Sequence, residues 1–258
     1  MIKATLVPIL QDNYAWLLRD EESGCRAIVD PAEVDPVVNA IDAAIAREGG
    51  KLDLILLTHH HGDHIAGTDA IRERYGARVV GAKADVHRLP ILDREVSEGS
   101  EVDLGASTAR VFETPGHTRG HISYYFPDAT GGDGVLLCGD TLFSLGCGRL
   151  LEGTPAEMFN SLARFAALPG NTLVCCGHEY TESNARFALH ADPDNAALRD
   201  YAARVSDLRA FAERVKELRA KGLPTLPSRL SDELECNPFL RAGDVATLAD
   251  LRSRKDRF

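Results

Sequence analysis

Apolar positions follow two rhythms along the first 180 residues, and the alternation between them predicts the architecture. Residues 3–8, 14–19 and 26–30 read as three consecutive strands, separated by polar turns at 11–13 and 21–24. Over residues 36–48, Val37, Val38, Ile41, Ala44 and Ile45 recur at three-to-four spacing, an amphipathic helix ended by Gly49 and Gly50. Residues 52–57 are almost wholly apolar, as in a strand buried on both faces. A helix over 65–75 and a short strand at 78–80 follow. Further strands are expected at 109–113, 121–126, 135–138 and 172–176, with a helix over 155–168 that Pro155 opens. Strands alternating with helices predict an α/β domain. Beyond residue 180 the pattern turns helical, with a long segment at 195–221 and shorter helices at 231–234 and 244–251. The expected division is an α/β domain at 1–180 and a helical domain at 181–258.

The polar residues that interrupt this pattern gather where strands end. The 52–57 strand runs into THHHGDH, residues 58–64, which supplies His59, His60, His61, Asp63 and His64. Later strand ends deliver His117, Asp140 and His178. In α/β folds the strands supply rigidity and the loops beyond them carry the site. His59 and His61 can converge while His60 points elsewhere, and Gly62 is expected to let the backbone turn before Asp63 and His64. Burying so many titratable groups without a cation leaves their desolvation uncompensated, so the cluster reads as metal ligands. Imidazole and carboxylate donors suit zinc, iron or manganese, and the donor set contains no thiolates. His121 is expected to support the His117 segment. His87 and His190, in ordinary helical surroundings, are read as polar residues only.

Composition narrows the field. Lys and Arg number 29 against 39 Asp and Glu, a net charge of −10, so nothing general favours nucleic acid or an anionic membrane. No apolar run has the length of a membrane span, and the first residues read as a strand with no signal-peptide cleavage site. Six cysteines without a CxxC pair fit reduced thiols in the cytoplasm.

These blocks together resemble the metallo-β-lactamase superfamily, whose hallmark is HxHxDH after a buried strand. More narrowly, the chain is similar to the hydroxyacylglutathione hydrolases (glyoxalase II), which act in methylglyoxal detoxification. The resemblance rests on THHHGDH (58–64), TPGHTRGHISY (114–124), GDTLFSLGCGR (139–149), CGHEYTESNARFA (176–188), NPFLR (237–241) and RSRKDRF (252–258). It implies an αββα sandwich with a helical C-terminal domain. It also implies two divalent ions, most often zinc, with iron or manganese as alternatives. His59, His61 and His117 would hold the first ion, Asp63, His64 and His178 the second, and Asp140 would bridge them. Arg149, Tyr180, Arg252 and Lys255 would recognise glutathione, whose carboxylates suit guanidinium and ammonium groups. Arg149 stands where relatives often carry lysine, and Leu151 where some carry a glutathione-binding tyrosine.

The implied reaction is hydrolysis of S-D-lactoylglutathione by a water activated between the ions. Thiolate is a competent leaving group, so no protein general acid is assigned. Ser144 and Ser183 lack a nucleophile elbow, and Cys138 and Cys147 are read as structural. Alternatives are another thioesterase or lactonase of the same fold, a mononuclear persulfide dioxygenase, an RNA-processing enzyme, and a non-catalytic metal-stabilised interaction protein. The expected partner is a small-molecule thioester, and the expected state is a monomer.

Overall fold

The computed structural model describes residues 1–129, 132–191, 214–215 and 217–258. Its frame is a pair of six-stranded sheets. The first contains β1 (Ile2–Ile9), β2 (Asn13–Asp20), β3 (Arg26–Val29), β4 (Leu54–Leu56), β5 (Arg78–Ala82) and β6 (Arg94–Val96), in chain order. Its first three strands are antiparallel and β3 to β6 parallel. The second runs β7 (Glu101–Leu104), β8 (Ser107–Glu113), β9 (Ile122–Phe126), β10 (Val135–Gly139), β13 (Leu173–Cys176) and β14 (Ser228–Arg229). Between β10 and β13 in sequence lies a small ribbon, β11 (Leu142–Phe143) with β12 (Gly146–Cys147).

The double-sided burial expected of residues 52–57 follows from this layering. Leu54 and Leu56 join the core with Tyr124, Phe126 and Leu136 from the second sheet. Ile55 and Leu57 join Val37, Ile41 and Ile71 under helices α1 (Val34–Glu48) and α3 (Thr68–Tyr75). Each such fully buried aliphatic side chain contributes about 1.5–3 kcal/mol. Trp16 Nε1 donates to the Cys176 carbonyl at 2.9 Å, joining the two sheets beneath the site.

Several expectations shift in detail. The single helix foreseen over 65–75 is two pieces, α2 (Gly62–Ile65) and α3. Gly67 separates them, and a Cβ there would lie 2.3 Å from the Pro31 carbonyl oxygen, so the chain passes too close to the β3 exit for any other residue. Gly62, where the backbone was expected to turn before Asp63 and His64, opens α2 without a left-handed conformation and with open space around its Cβ position. The expected helix at 155–168 is α4 (Pro155–Ala166), closed at its start by a Thr154–Glu157 capping box.

Most of the segment expected as a helix over 195–221 lies outside the described residues; 217–220 are helical. The two shorter helices are α6 (Leu230–Cys236) and α7 (Val245–Asp256), which follow α5 (Thr181–Ala191). The C-terminal part is not only helical, because β14 extends the second sheet, Val174 pairing with Ser228. It also holds the β11–β12 ribbon from behind. The fully buried Glu233 carboxylate accepts from Ser144 Oγ at 2.7 Å and from Leu145 N at 2.8 Å. Asn237 Nδ2 donates to the Phe143 and Gly146 carbonyls. Replacing Glu233 with leucine strands these donors, and urea unfolding should show a stability loss of about 2–3 kcal/mol. An unchanged midpoint would remove the clamp from this account.

Candidate metal centre

Four strand exits and one helical turn bring the expected ligands into two adjoining sets. His59 and His61 follow β4, with His61 at the entry to α2 and Asp63 and His64 within it. His117 lies on the loop after β8, Asp140 directly after β10, and His178 two residues after β13. The donor atoms of His59, His61 and His117 all lie within 4.8 Å of one another, as do those of Asp63, His64 and His178. His59 Nε2 is 3.1 Å from His61 Nδ1, which is 3.0 Å from His117 Nε2. In the second set, His64 Nε2 and His178 Nε2 are 3.3 Å apart, and Asp63 Oδ2 is 3.4 Å from His178 Nε2. Asp140 stands between the sets, 3.5 Å from His117 Nε2, 3.4 Å from His64 Nε2 and 3.4 Å from His178 Nε2.

The outer ring nitrogens show that this arrangement suits cations. His64 Nδ1 donates to Asp30 at 3.0 Å, His117 Nδ1 to the Arg149 carbonyl at 2.9 Å, and His178 Nδ1 to Asp12 at 3.1 Å. Thr58 Oγ1 gives its own proton to Asp30, so at 3.0 Å it accepts from His59 Nδ1. In its neutral form, each of these four imidazoles therefore turns an unprotonated Nε2 toward the centre, the arrangement that metal-bound histidines adopt. Two such lone pairs, those of His64 and His178, would face one another at 3.3 Å and repel unless a cation lies between them. Asp140 Oδ1 is likewise buried with no hydrogen-bond partner among the described residues.

The protonation tendencies differ between the two sets. Burial pushes His59 well below the usual imidazole range and lowers His61 and His117, so these rings stay neutral and able to bind. Burial opposes charge on His64 and His178 too, but Asp140 outweighs it and raises both. The two histidines in turn outweigh burial at Asp140 and hold its carboxyl well below the carboxylate range.

Supporting residues complete the centre. Asp30, which the sequence reading took only as the end of a strand, adopts a left-handed backbone (φ 51°) and binds both Thr58 N and His64. Asn13 Nδ2 reaches Asp63 Oδ2 at 3.0 Å. His121 is fully buried, stacks on His59, and accepts from Asp140 N at 3.1 Å, so it supports the Asp140 turn as well as the His117 loop. His60 turns away from the centre toward Asp85. His87 and His190 are exposed, His190 packing against Phe258.

His117 and Asp140 also line one end of a cavity of about 740 Å³ whose walls carry Arg149, Tyr180, Arg252 and Lys255. Tyr180 stacks on His178 with ring centroids 4.7 Å apart. Lys255 donates to the Ser183 carbonyl, and burial, with Arg252, Arg186 and Arg149 nearby, pulls its pKa down to about 8. Arg149 is free to reach, its side chain 72% exposed and only loosely paired with Asp256 at 3.9 Å. Arg252 is placed differently: it is 5% exposed, paired with Asp256, and donates to the Cys147 carbonyl at 2.7 Å. Arg186, on α5, is a fourth cation on this wall that the sequence reading missed. Leu151 is 59% exposed and does not line the cavity.

Comparison with known proteins agrees with this geometry. Residues 11–178 match the family model of the metallo-beta-lactamase superfamily, and residues 179–258 that of the hydroxyacylglutathione hydrolase C-terminus. A hydroxyacylglutathione hydrolase from Acidiphilium cryptum is 54% identical over 98% of this chain and 96% of its own. Among solved structures, ETHE1 from Myxococcus xanthus superposes with a TM-score of 0.68 at 23% identity, covering 98% of this chain and 90% of that one, a likeness of fold. TTHA1623, solved in a di-iron-bound form, is 27% identical with a TM-score of 0.55, covering 68% of this chain and 91% of its own. The chain thus belongs to the hydroxyacylglutathione hydrolases, within the metallo-β-lactamase superfamily.

Proposed function

We propose that this enzyme hydrolyses S-D-lactoylglutathione and related glutathione thioesters, releasing a 2-hydroxy acid and glutathione. One observation carries the reading: two ligand sets sharing Asp140 open onto a cavity walled by cations. His59, His61 and His117 would hold one divalent ion and Asp63, His64 and His178 the other, with Asp140 placed between the two sets. Zinc suits this set, with iron or manganese as alternatives. Two such ions supply a Lewis acid and a water acidic enough to ionise near neutrality.

The chain's own groups bind and orient. Arg149, Arg186 and Lys255 pair with the peptide carboxylates of the substrate, and the Tyr180 ring forms the wall beside His178. Arg252 acts mainly through Cys147, fixing the ribbon that floors the cavity. The departing thiolate needs no proton donor. Burial pushes the Cys147 thiol up to about 11 and raises that of Cys138 well above its ordinary value, so neither serves as a nucleophile near neutrality. We place the enzyme in the cytoplasm as a monomer acting on a small-molecule thioester.

Two measurements test this reading. Purified protein should contain two ions per chain and lose hydrolysis on chelation, with zinc restoring it; retained activity in metal-free protein would overturn the proposal. Lys255 gives a pH test. It carries its charge below about pH 8 and loses it as the pH rises through that value. The kcat/KM for the glutathione thioester should therefore fall above about pH 8. Lys255→Met should lower kcat/KM in the neutral range and abolish that limb. An identical limb in the variant would exclude Lys255 as its source.

A further inference from the structure

His60 is the one histidine of the THHHGDH segment that faces away from the centre, and its contacts belong to a second, ionic cluster behind the three-histidine set. His60 Nδ1 lies 3.0 Å from Asp85, a side chain buried to 2% exposure. Arg88 donates from Nε to Asp85 at 3.1 Å, and its Nη1 lies 3.2 Å from His60 Nε2. The same guanidinium forks onto Glu152, Nη1 reaching Oε1 at 2.5 Å and Nη2 reaching Oε2 at 3.3 Å. Glu152 then accepts from Arg119 N at 2.9 Å. Its own backbone N donates to the His117 carbonyl, and Gly153 N donates to the Gly116 carbonyl. Arg88 first, against a smaller effect of burial, pulls the Glu152 pKa down to about 2, so the carboxylate stays charged.

Four chain segments meet in this cluster: 58–64, which carries His59 and His61; 83–89, which carries no ligand; and the paired loops 116–121 and 149–153, which carry His117 and Arg149. The fit is close. A Cβ on Gly120 would lie 2.1 Å from Asp85 Cγ, so the His117 loop packs directly on that carboxylate. Among the described residues, no comparable link runs from Asp85, Arg88 or Glu152 to the second set, whose outer contacts are Asp30, Asp12 and Asn13.

We infer that Asp85, Arg88 and Glu152 form an ionic clasp that positions the three-histidine ion site, by fixing the His59–His61 turn against the His117 loop. The three are positioning residues; none touches the centre. The inference rests on the dinuclear reading above. Hydrogen-bonded partners behind metal ligands typically change metal affinity by about 10–100-fold. The clasp therefore makes the two ion sites unequal in their response to its loss.

The test is zinc titration against a chromophoric chelator, comparing the intact chain with Glu152→Gln, Asp85→Asn and Arg88→Met. Glu152 is partly exposed and Glu152→Gln preserves its shape, so folding is secure in at least one variant. One of the two zinc dissociation constants should rise about 10–100-fold while the other stays fixed. The loss should recur in a His178→Ala background, which keeps the three-histidine set, and vanish in a His61→Ala background. Equal weakening of both sites, or a lowered melting temperature with both constants unchanged, would overturn the clasp. Fewer than two zinc ions on the unaltered chain would instead overturn the dinuclear reading, before any variant is compared.

Discussion

Asp140→Asn should lower kcat for a glutathione thioester by about 10³-fold and leave fewer than two ions on the chain. The substitution preserves shape and removes one charge, so its effect isolates what that charge does. Among the described residues, Asp140 is the only carboxylate within 3.5 Å of histidines from both sets, and its Oδ1 is buried with no hydrogen-bond partner. A metal centre contributes several kcal/mol of charge stabilisation to the transition state. Losing about 4 kcal/mol of it corresponds to three decades of rate. Metal content and steady-state kinetics on one preparation check the result. A variant with two ions and near-normal kcat would show that Asp140 does not join the two sets.

The second large effect is expected at a residue with no chemistry of its own. A Cβ on Gly177 would lie 2.6 Å from Asp140 Oδ1 and 2.6 Å from His64 Cε1. Its backbone is not left-handed, so the requirement for glycine is steric and not conformational. Gly177→Ala must displace Asp140, His64 or its own strand end. Misplacing reacting groups by about 1 Å costs on the order of 10²-fold, and kcat should fall by that amount. Overpacking would also cost about 1–3 kcal/mol of stability. Gly62→Ala is the contrast, because nothing lies within 4 Å of its Cβ position and activity should persist. Equal kinetics for the two alanine variants would contradict the packing described around Asp140.

The ligands were readable in the sequence because they sit beside a strong signal. A continuous apolar run such as 52–57 marks a strand that must be buried on both faces, and polar residues at its end can only face a site. What surrounds the ligands was not readable. Asp30 meets His64 across 34 residues and Asp12 meets His178 across 166, contacts that no local periodicity encodes. The ribbon β11–β12 and strand β14 have two residues each, too short to show a period. The family resemblance, and not charge, placed Arg252 among the substrate contacts; Arg252 lines the cavity, and contacts to Asp256 and the Cys147 carbonyl hold its guanidinium there. Arg186 escaped notice because α5, reading TESNARFALHA, interleaves polar and apolar residues without a clear stripe.

A dinuclear centre beside this cationic wall should serve a glutathione thioester and not thioesters at large. The most direct measurement compares kcat/KM for S-D-lactoylglutathione with that for a D-lactoyl thioester of a short neutral thiol, using metal-replete protein. The cationic wall should make the glutathione thioester the better substrate by at least about 10²-fold, the equivalent of two charge-assisted contacts. Loss of Arg186 or Lys255 should narrow that gap without altering hydrolysis of the neutral thioester. Equal kcat/KM for the two substrates would leave a metal-dependent hydrolase of this fold and contradict its assignment to glutathione thioesters.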